Sequence, residues 1–484
     1  MISSTYNSIH KLQEGQYFVI NSLTGAIDVF GKEVKEVLDR ISNNMPLDSD
    51  SDTQELVNFF LRRGYVYESR AIELDKLYQI RKVMNLASMK SKGGVTFNVC
   101  TTYACNLRCS YCFQDHSIHE QSHALEPDQI NKMFEAVDKI IQMESDRGRF
   151  IGSQHKMMLY GGEPFLTITK KAVSEVVQRA IEHYGFRMYA ITNGTQLHEF
   201  LDMLEPFKES WDFFQISLDG PQKIHDSRRI TAGGKGTFVR IVKNISDALR
   251  RGFGVAVRTN VNKDNVEYLE ELADFIEQQG WNTMPNFAWQ ISPVTDHFGV
   301  DLPNHLPEHE LLVALYKKFG DLDSFMHKFN AKLGTVLTMR TSRIRESIRS
   351  FNWDSLQFSD SCALGSGSVP LFKECSARDQ RYYTFGTDGL IYPCPESVGR
   401  PNISIATFYP EYQINVEAHQ IWDRDITDSE KCLDCSISLF CGGGCAFANL
   451  MRNGDIVSPY CNYAHETIST CIEQNKDKFI QLME

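Results

Sequence analysis

From about residue 95 the sequence alternates short strand-like apolar runs with amphipathic helical stretches. The strand-like runs cover 96–100, 157–160, 188–192, 213–218, 255–260 and 287–291. Between them, Ile130, Met133, Phe134, Val137, Ile140 and Ile141 form one helical stripe. Phe238, Ile241, Val242, Ile245 and Leu249 form another, closed by Gly252, and Val266, Leu269, Leu272 and Ile276 make a third that ends at Gly280. Repeated strand–helix units predict a parallel sheet with right-handed crossovers. Six units fall short of the eight of a closed barrel, so the expected class is α/β, with a partial (β/α)6 TIM-like barrel over residues 90–300.

The flanking segments are patterned differently. Within residues 1–85, the runs 17–20 and 26–30 flank Asn21 to Gly25, whose turn chemistry suits a hairpin. Val34, Val37, Leu38 and Ile41, then Leu56, Val57, Phe60 and Leu61, recur at helical spacing, and 65–67 reads as a returning strand. Two strands, two helices and a strand predict a winged-helix-like unit. Residues 301–360 read as a helical bridge. Residues 361–484 are loop-rich and dense in Cys and Gly, a composition with little core of its own that needs metal to hold it.

Composition narrows the class. With 42% hydrophobic and 23% charged residues among 484, the chain can bury a large core. It has no run of eighteen apolar residues and no basic-then-apolar N-terminus, so the expectation is a cytoplasmic protein with no membrane partner. A net charge of −12 argues against nucleic acid as partner. The thirteen cysteines are clustered, and in a reducing compartment clustered cysteines read as metal ligands rather than disulfides. Cys100 and Cys471 stand apart and read as buried apolar thiols.

Cys105-Asn-Leu-Arg-Cys109-Ser-Tyr-Cys112 follows the first barrel strand directly. Three thiolates bind three irons of a [4Fe–4S] cube and leave the fourth open to an exogenous ligand. A zinc site completed by His116 is the competing reading. Downstream, Cys432-x2-Cys435-x5-Cys441-x3-Cys445 and Cys461 follow Cys362, Cys375 and Cys394. Two clusters or two zinc sites both fit these pairs.

The CxxxCxxC run, with Tyr111 before its last cysteine, resembles the signature of the radical S-adenosylmethionine (SAM) superfamily. Gly161-Gly162-Glu163-Pro164, Thr192-Asn193-Gly194, Ser217-Leu218-Asp219-Gly220 and His225-Asp226-Ser227-Arg228-Arg229 resemble its companion elements in order. The resemblance implies that Cys105, Cys109 and Cys112 hold a [4Fe–4S] cluster whose open iron chelates S-adenosylmethionine. It also implies that Gly161, Gly162, Glu163, Thr192, Asn193, Ser217, Asp219 and Arg229 contact that cofactor. The later cysteines resemble the SPASM extension. By that resemblance Cys362, Cys375, Cys394 and Cys445 hold one auxiliary [4Fe–4S] cluster, and Cys432, Cys435, Cys441 and Cys461 hold the other, three clusters in all. Cys362 stands far from Cys375 in sequence; if it is free, the first auxiliary cluster keeps an open iron.

The N-terminal unit resembles the leader-recognition element of maturases that act on ribosomally made peptides. Together the resemblances imply a peptide-crosslinking enzyme, forming a Cys thioether, with a precursor peptide and an electron donor such as flavodoxin or ferredoxin as partners. Carbon–carbon crosslinking, formylglycine formation, small-molecule dehydrogenation and a zinc-stabilised scaffold are the competing readings. In the formylglycine-forming family Asp follows the cysteine matching Cys394, where this chain has Pro395 and Glu396. No residue stands out as general base.

Overall fold

The computed structural model describes every residue except 90–92, 115, 120–122, 299–301, 303, 335–369, 374, 376, 379 and 482–484. The N-terminal part has two small sheets. β1 (Ile2–Ser3) pairs antiparallel with β5 (Val66–Tyr67), while β2 (Asn7–Gln13), β3 (Gln16–Asn21) and β4 (Ile27–Gly31) form an antiparallel meander. The expected hairpin is therefore β3–β4, joined by a strand the apolar pattern did not mark. The strand expected to return beside the hairpin instead pairs with the first residues of the chain. Two helices, Lys32–Ser42 and Ser51–Arg63, close this unit, and the long helix Arg70–Met89 leads to the barrel.

The six expected barrel strands are β6 (Gly93–Cys100), β7 (Gln154–Tyr160), β8 (Arg187–Thr192), β9 (Trp211–Ser217), β10 (Val255–Val261) and β11 (Phe287–Pro293). They lie parallel in sequence order, giving the partial barrel predicted. Their period of two explains the layering. On β10, Val255, Val257, Thr259 and Val261 are buried against the outer helices, while Ala256, Arg258 and Asn260 face inward and stay half-buried. In register beside them stand Gln215 and Ser217 of β9 and Ala288 and Gln290 of β11. This inner wall is polar or small, so the barrel interior is left open rather than filled.

Two features differ from expectation. The segment expected to be a helical bridge contributes helices Glu308–Phe319 and Leu322–Lys328, but then β12 (Ala331–Leu333), which extends the sheet beyond β11; most of the remainder lies outside the described residues. The cysteine-rich region also supplies strands to the same sheet. β13 (Tyr382–Phe385) pairs parallel with β6, followed by antiparallel β14 (Leu390–Tyr392), β15 (Ala406–Thr407) and β16 (Gln413–Ile414). Strands of two to four residues, broken by Gly386 and Gly389, are too short for periodicity to reveal them.

The N-terminal meander is not free-standing. Leu12, Phe18, Ile20 and Ile27 share one apolar cluster with Ile437, Phe440, Cys441, Ala464, Ile468 and Ile472. Tyr6, Leu23 and Tyr67 share another with Phe372, Ile426, Cys432 and Leu439. The two ends of the chain therefore complete each other's cores. Phe440, fully buried in the first of these clusters, sets a test. Phe440→Ala is expected to destabilise the chain by about 3–5 kcal/mol. Hydrogen exchange should speed up in β3 and in the helix Ala464–Gln474 together; β3 retaining its protection would mean that the N-terminal unit folds independently.

Candidate functional site

The loop after β6 carries Cys105, Cys109 and Cys112, and backbone contacts on two sides fix it. On one side, the Gly162 amide donates to Thr102 O (3.0 Å) and the Glu163 amide to Ala104 O (2.8 Å). On the other, Arg108 N donates to Ile230 O (2.8 Å), Ser110 N to Arg228 O (3.1 Å) and Ala232 N to Asn106 O (3.0 Å). The two glycines of the first contact were expected to bring backbone close to a ligand. What they bring close here is the cysteine loop. A Cβ on Gly161 would lie 2.4 Å from Thr102 O, and one on Gly162 would lie 2.3 Å from both the Tyr103 and Ala104 oxygens. Gly161 also takes φ +132°, which disfavours any side chain.

Glu163 stitches the next strand end to this one. Its buried carboxylate accepts from Phe165 N (3.0 Å), Thr192 Oγ1 (2.5 Å) and Asn193 N (2.5 Å). Burial pushes its carboxyl up to about 7, against the opposing pull of those hydrogen bonds. Asn193 Nδ2 then donates to Asn106 Oδ1 (2.8 Å), returning the chain of contacts to the cysteine loop. Seven of the eight residues expected at the cofactor, all but Asp219, line one cavity with the three cysteines.

Asp219 is placed differently from the expectation. It is fully buried behind the cavity, where its carboxylate accepts from the Tyr111 hydroxyl and from Asn260 N (3.0 Å). The Tyr111 hydroxyl in turn accepts from Arg229 Nη1 (2.7 Å) and Asn260 Nδ2 (3.2 Å), and the Arg228 guanidinium lies over its ring at 4.8 Å. Asp219 therefore orients the aromatic residue between Cys109 and Cys112. His225 props the Asp219 amide through Nδ1 (3.3 Å) and bonds Thr237 through Nε2 (3.0 Å); burial, aided by Arg229, lowers its pKa to about 4, so the ring is neutral. Arg229 keeps a buried Nε with no hydrogen-bond partner in the described structure, a donor still to be satisfied in the cavity wall.

Among the cavity residues that sequence reasoning missed are Arg258, Asn260, His297 and Glu396. The first two had a signal, being polar residues at the inward positions of an otherwise apolar strand. The last two come from loops that only the tertiary fold brings in. One Glu396 carboxylate oxygen is buried without a hydrogen-bond partner, and His297 Nδ1 lies 4.0 Å from Cys445 Sγ.

Three thiols lining one cavity are donors of the kind an iron–sulfur cluster takes, although among the described residues no three His, Cys, Asp or Glu are arranged to hold a single metal ion. Burial pushes Cys105 up to about 12 and raises Cys109 and Cys112, so these thiols ionise only if bound positive charge offsets the low dielectric. The later cysteines divide in two. Cys375 and Cys445 are near enough to Cys394 to raise its thiol further, beyond the dominant effect of burial. Cys362, expected to join them, lies outside the described residues. Cys432, Cys435, Cys441 and Cys461 line a second cavity, bordered by Thr5 and by His465, whose Nε2 is 3.3 Å from Cys435 Sγ. The chain passes from one set to the other through Gly442, Gly443 and Gly444, with φ of +66°, +82° and +71°. Three successive left-handed residues are accessible only to glycine, and they let Cys441 and Cys445 serve different sets across three positions. His116, the proposed zinc partner, is exposed on a short helical turn, and the cavity with the three cysteines does not include it.

Residues 99–276 match the sequence model of the Radical SAM superfamily. The chain is 26% identical over 352 residues to a cysteine-type anaerobic sulfatase-maturating enzyme of Clostridium novyi, covering 70% of this chain and 84% of that protein. It is 18% identical over 521 residues to the radical SAM cyclopropyl synthase TigE of Paramaledivibacter caminithermalis, covering 99% and 97%. Among solved structures it resembles anSMEcpe with bound AdoMet, with a TM-score of 0.57 at 15% identity over 80% of this chain and 98% of that one. Streptococcus suis SuiB bound to its precursor peptide SuiA gives 0.50 at 15% identity over 94% and 98%. At these identities the structural likeness speaks to the fold alone.

Gly162→Ala isolates the backbone contact that fixes the cysteine loop. The added methyl group would meet two carbonyl oxygens at 2.3 Å. The variant is expected to bind about four fewer irons per chain on anaerobic reconstitution than the unaltered protein. Full iron content would show that the loop tolerates displacement.

Proposed function

We propose that this chain, a radical SAM enzyme through residues 99–276, matures a precursor peptide by forming an intramolecular crosslink, most plainly a Cys thioether. One observation carries the reading. The cavity of Cys105, Cys109 and Cys112 is walled by Glu396, two residues beyond Cys394, and by His297, beside Cys445. The radical-forming site and the Cys375–Cys394–Cys445 set thus share a wall. Bound at these sets, [4Fe–4S] clusters and S-adenosylmethionine would supply the reducing electron, the 5′-deoxyadenosyl radical and a sink for the electron that crosslinking releases.

The protein's own groups supply binding and orientation. Arg229 and Arg258 present guanidinium groups suited to a carboxylate, and Thr192, Asn193, Ser217 and Asn260 offer hydroxyl and amide contacts along the same wall. Tyr111, held by Asp219 and Arg229, fixes the turn between the last two cysteines. Glu396 and His297, in the wall of the same cavity, would border the space a peptide fills. The half-open inner wall of β9, β10 and β11 gives that peptide an extended polar surface. Its leader would add a strand to the β2–β3–β4 meander, a mode that uses main-chain hydrogen bonds for affinity. A flavodoxin or ferredoxin would deliver the electron.

Formylglycine formation is the second reading, favoured by the likeness to the Clostridium novyi sulfatase-maturating enzyme. Two observations weigh against it: Pro395 and Glu396 follow Cys394, and TigE aligns with nearly the whole chain, including the N-terminal unit, where the sulfatase-maturating enzyme covers 70%. Because the meander shares its core with the C-terminal helices, deleting residues 1–85 would also disturb the second cysteine set. Removing the unit therefore gives no clean test.

The test is metal content followed by product mass. After anaerobic reconstitution the chain is expected to bind about twelve irons, falling to about eight when Cys105, Cys109 and Cys112 are all changed to Ala. That variant should form no 5′-deoxyadenosine. Co-expressed precursor peptide should lose two hydrogens and one alkylatable thiol per crosslink. Two hydrogens lost with every thiol retained would indicate carbon–carbon linkage, an aldehyde product would indicate formylglycine, and zinc in place of iron would remove the radical reading.

A further inference from the structure

The wall that holds the cysteine loop from outside is strongly basic on a strongly acidic chain. Between residues 222 and 243 lie Lys223, Arg228, Arg229, Lys235, Arg240 and Lys243, with Asp226 as the one acidic residue, whereas the whole chain carries −12. Arg228 and Arg229 turn inward to Tyr111. Lys223, Lys235, Arg240 and Lys243 are exposed, and none has an ion-pair partner among the described residues. Asp226, whose carboxylate accepts the Thr237 and Phe238 amides (2.7 and 2.9 Å), offsets one of these charges and leaves the stretch net positive.

Three of these cations lie on the two helices that follow β9. A helix following a parallel strand starts at the strand's C-terminal face. Lys223 lies on the helix Gln222–Arg228, and Arg240 and Lys243 lie in the first two turns of the helix Phe238–Arg250, both downstream of β9. Arg240 and Lys243 line one surface groove with Arg250 and Arg251, and with Asp226 and Asp247 as its acidic residues. Lys235 caps the loop whose Thr231 bridges to Leu107, between Cys105 and Cys109. The segment is hydrogen-bonded through Arg228, Ile230 and Ala232 to residues 110, 108 and 106 of the cysteine loop. Ser110, within the cysteine loop, is itself exposed.

We propose that this basic face, centred on Lys235, Arg240 and Lys243, is where an acidic one-electron carrier protein docks to reduce the cluster held by Cys105, Cys109 and Cys112. The inference rests on the radical SAM reading of that loop. The step forms and breaks no bond: one electron leaves the reduced carrier and reduces the oxidised cluster. A compact positive patch on a negative chain steers an acidic partner to this face and away from the rest of the surface, an effect that acts on the association rate and fades with salt.

The test uses full-length, reconstituted protein with Lys235→Glu, Arg240→Glu and Lys243→Glu combined, and reduced flavodoxin as the probe. At low salt the second-order rate of cluster reduction is expected to fall by about tenfold or more. Its salt dependence should flatten or reverse. Dithionite, which needs no docking, should drive 5′-deoxyadenosine formation equally in both proteins. A flavodoxin rate within twofold of the unaltered protein would overturn the proposal and move the docking face elsewhere. Failure of dithionite to yield 5′-deoxyadenosine even with the unaltered protein would overturn the radical reading and the docking proposal with it.

Discussion

The contact between the carbonyls of residues 102–104 and the Gly161–Gly162 backbone is the constraint on which the rest of the site depends. No side chain fits between these strand ends. With that gap closed, the Glu163 amide reaches Ala104 O, and the Glu163 carboxylate reaches across to Thr192 and Asn193. Asn193 then returns to Asn106 in the cysteine loop. The ring of contacts is closed, so the loop's position is set by three strand ends rather than by whatever it binds. A loop held this way presents its thiols without having to be ordered by the ligand, and the ordering entropy of about 1–2 kcal/mol per residue is met on folding instead.

Much of this was legible because it is local. Six strands, three apolar stripes and the cysteine spacings all follow from residues close in sequence, and the barrel strands recur in the order read. What escaped depends on distant partners. β13 to β16 are too short for a period, and only pairing with β6 gives β13 its place in the sheet. Asp219 was legible as a polar strand end but not as a residue aimed away from the cavity, since its partner Tyr111 comes from a loop 108 residues earlier. The glycines were legible as a close approach, yet sequence could not say that the approaching group was the protein's own backbone. Glu396 and His297 had no local signal, being ordinary polar residues in loops.

The two chain ends depend on each other in a way that domain-by-domain reading hides. The meander of residues 7–31 supplies apolar faces to a C-terminal region too rich in glycine and cysteine to bury enough of its own. Thr5 and His465 border the cavity of Cys432, Cys435, Cys441 and Cys461, so that cavity has walls from both ends of the chain. A peptide held on the meander would therefore lie against elements packed on the second cysteine set.

Burial raises Cys105, Cys394 and Cys432, one thiol from each set, and so opposes the thiolate form that a bound metal would need. The sets differ in what offsets that burden. Beside Cys109 the Arg229 guanidinium favours the ionised form, and the backbone ring already fixes the loop. Around Cys394, the neighbouring Cys445, Glu396 and Cys375 push the thiol the same way as burial, against a backbone hydrogen bond from Glu396. The Cys394 set has a cation of its own close by, since the Arg378 guanidinium donates to Gly443 O (3.2 Å), two residues before Cys445.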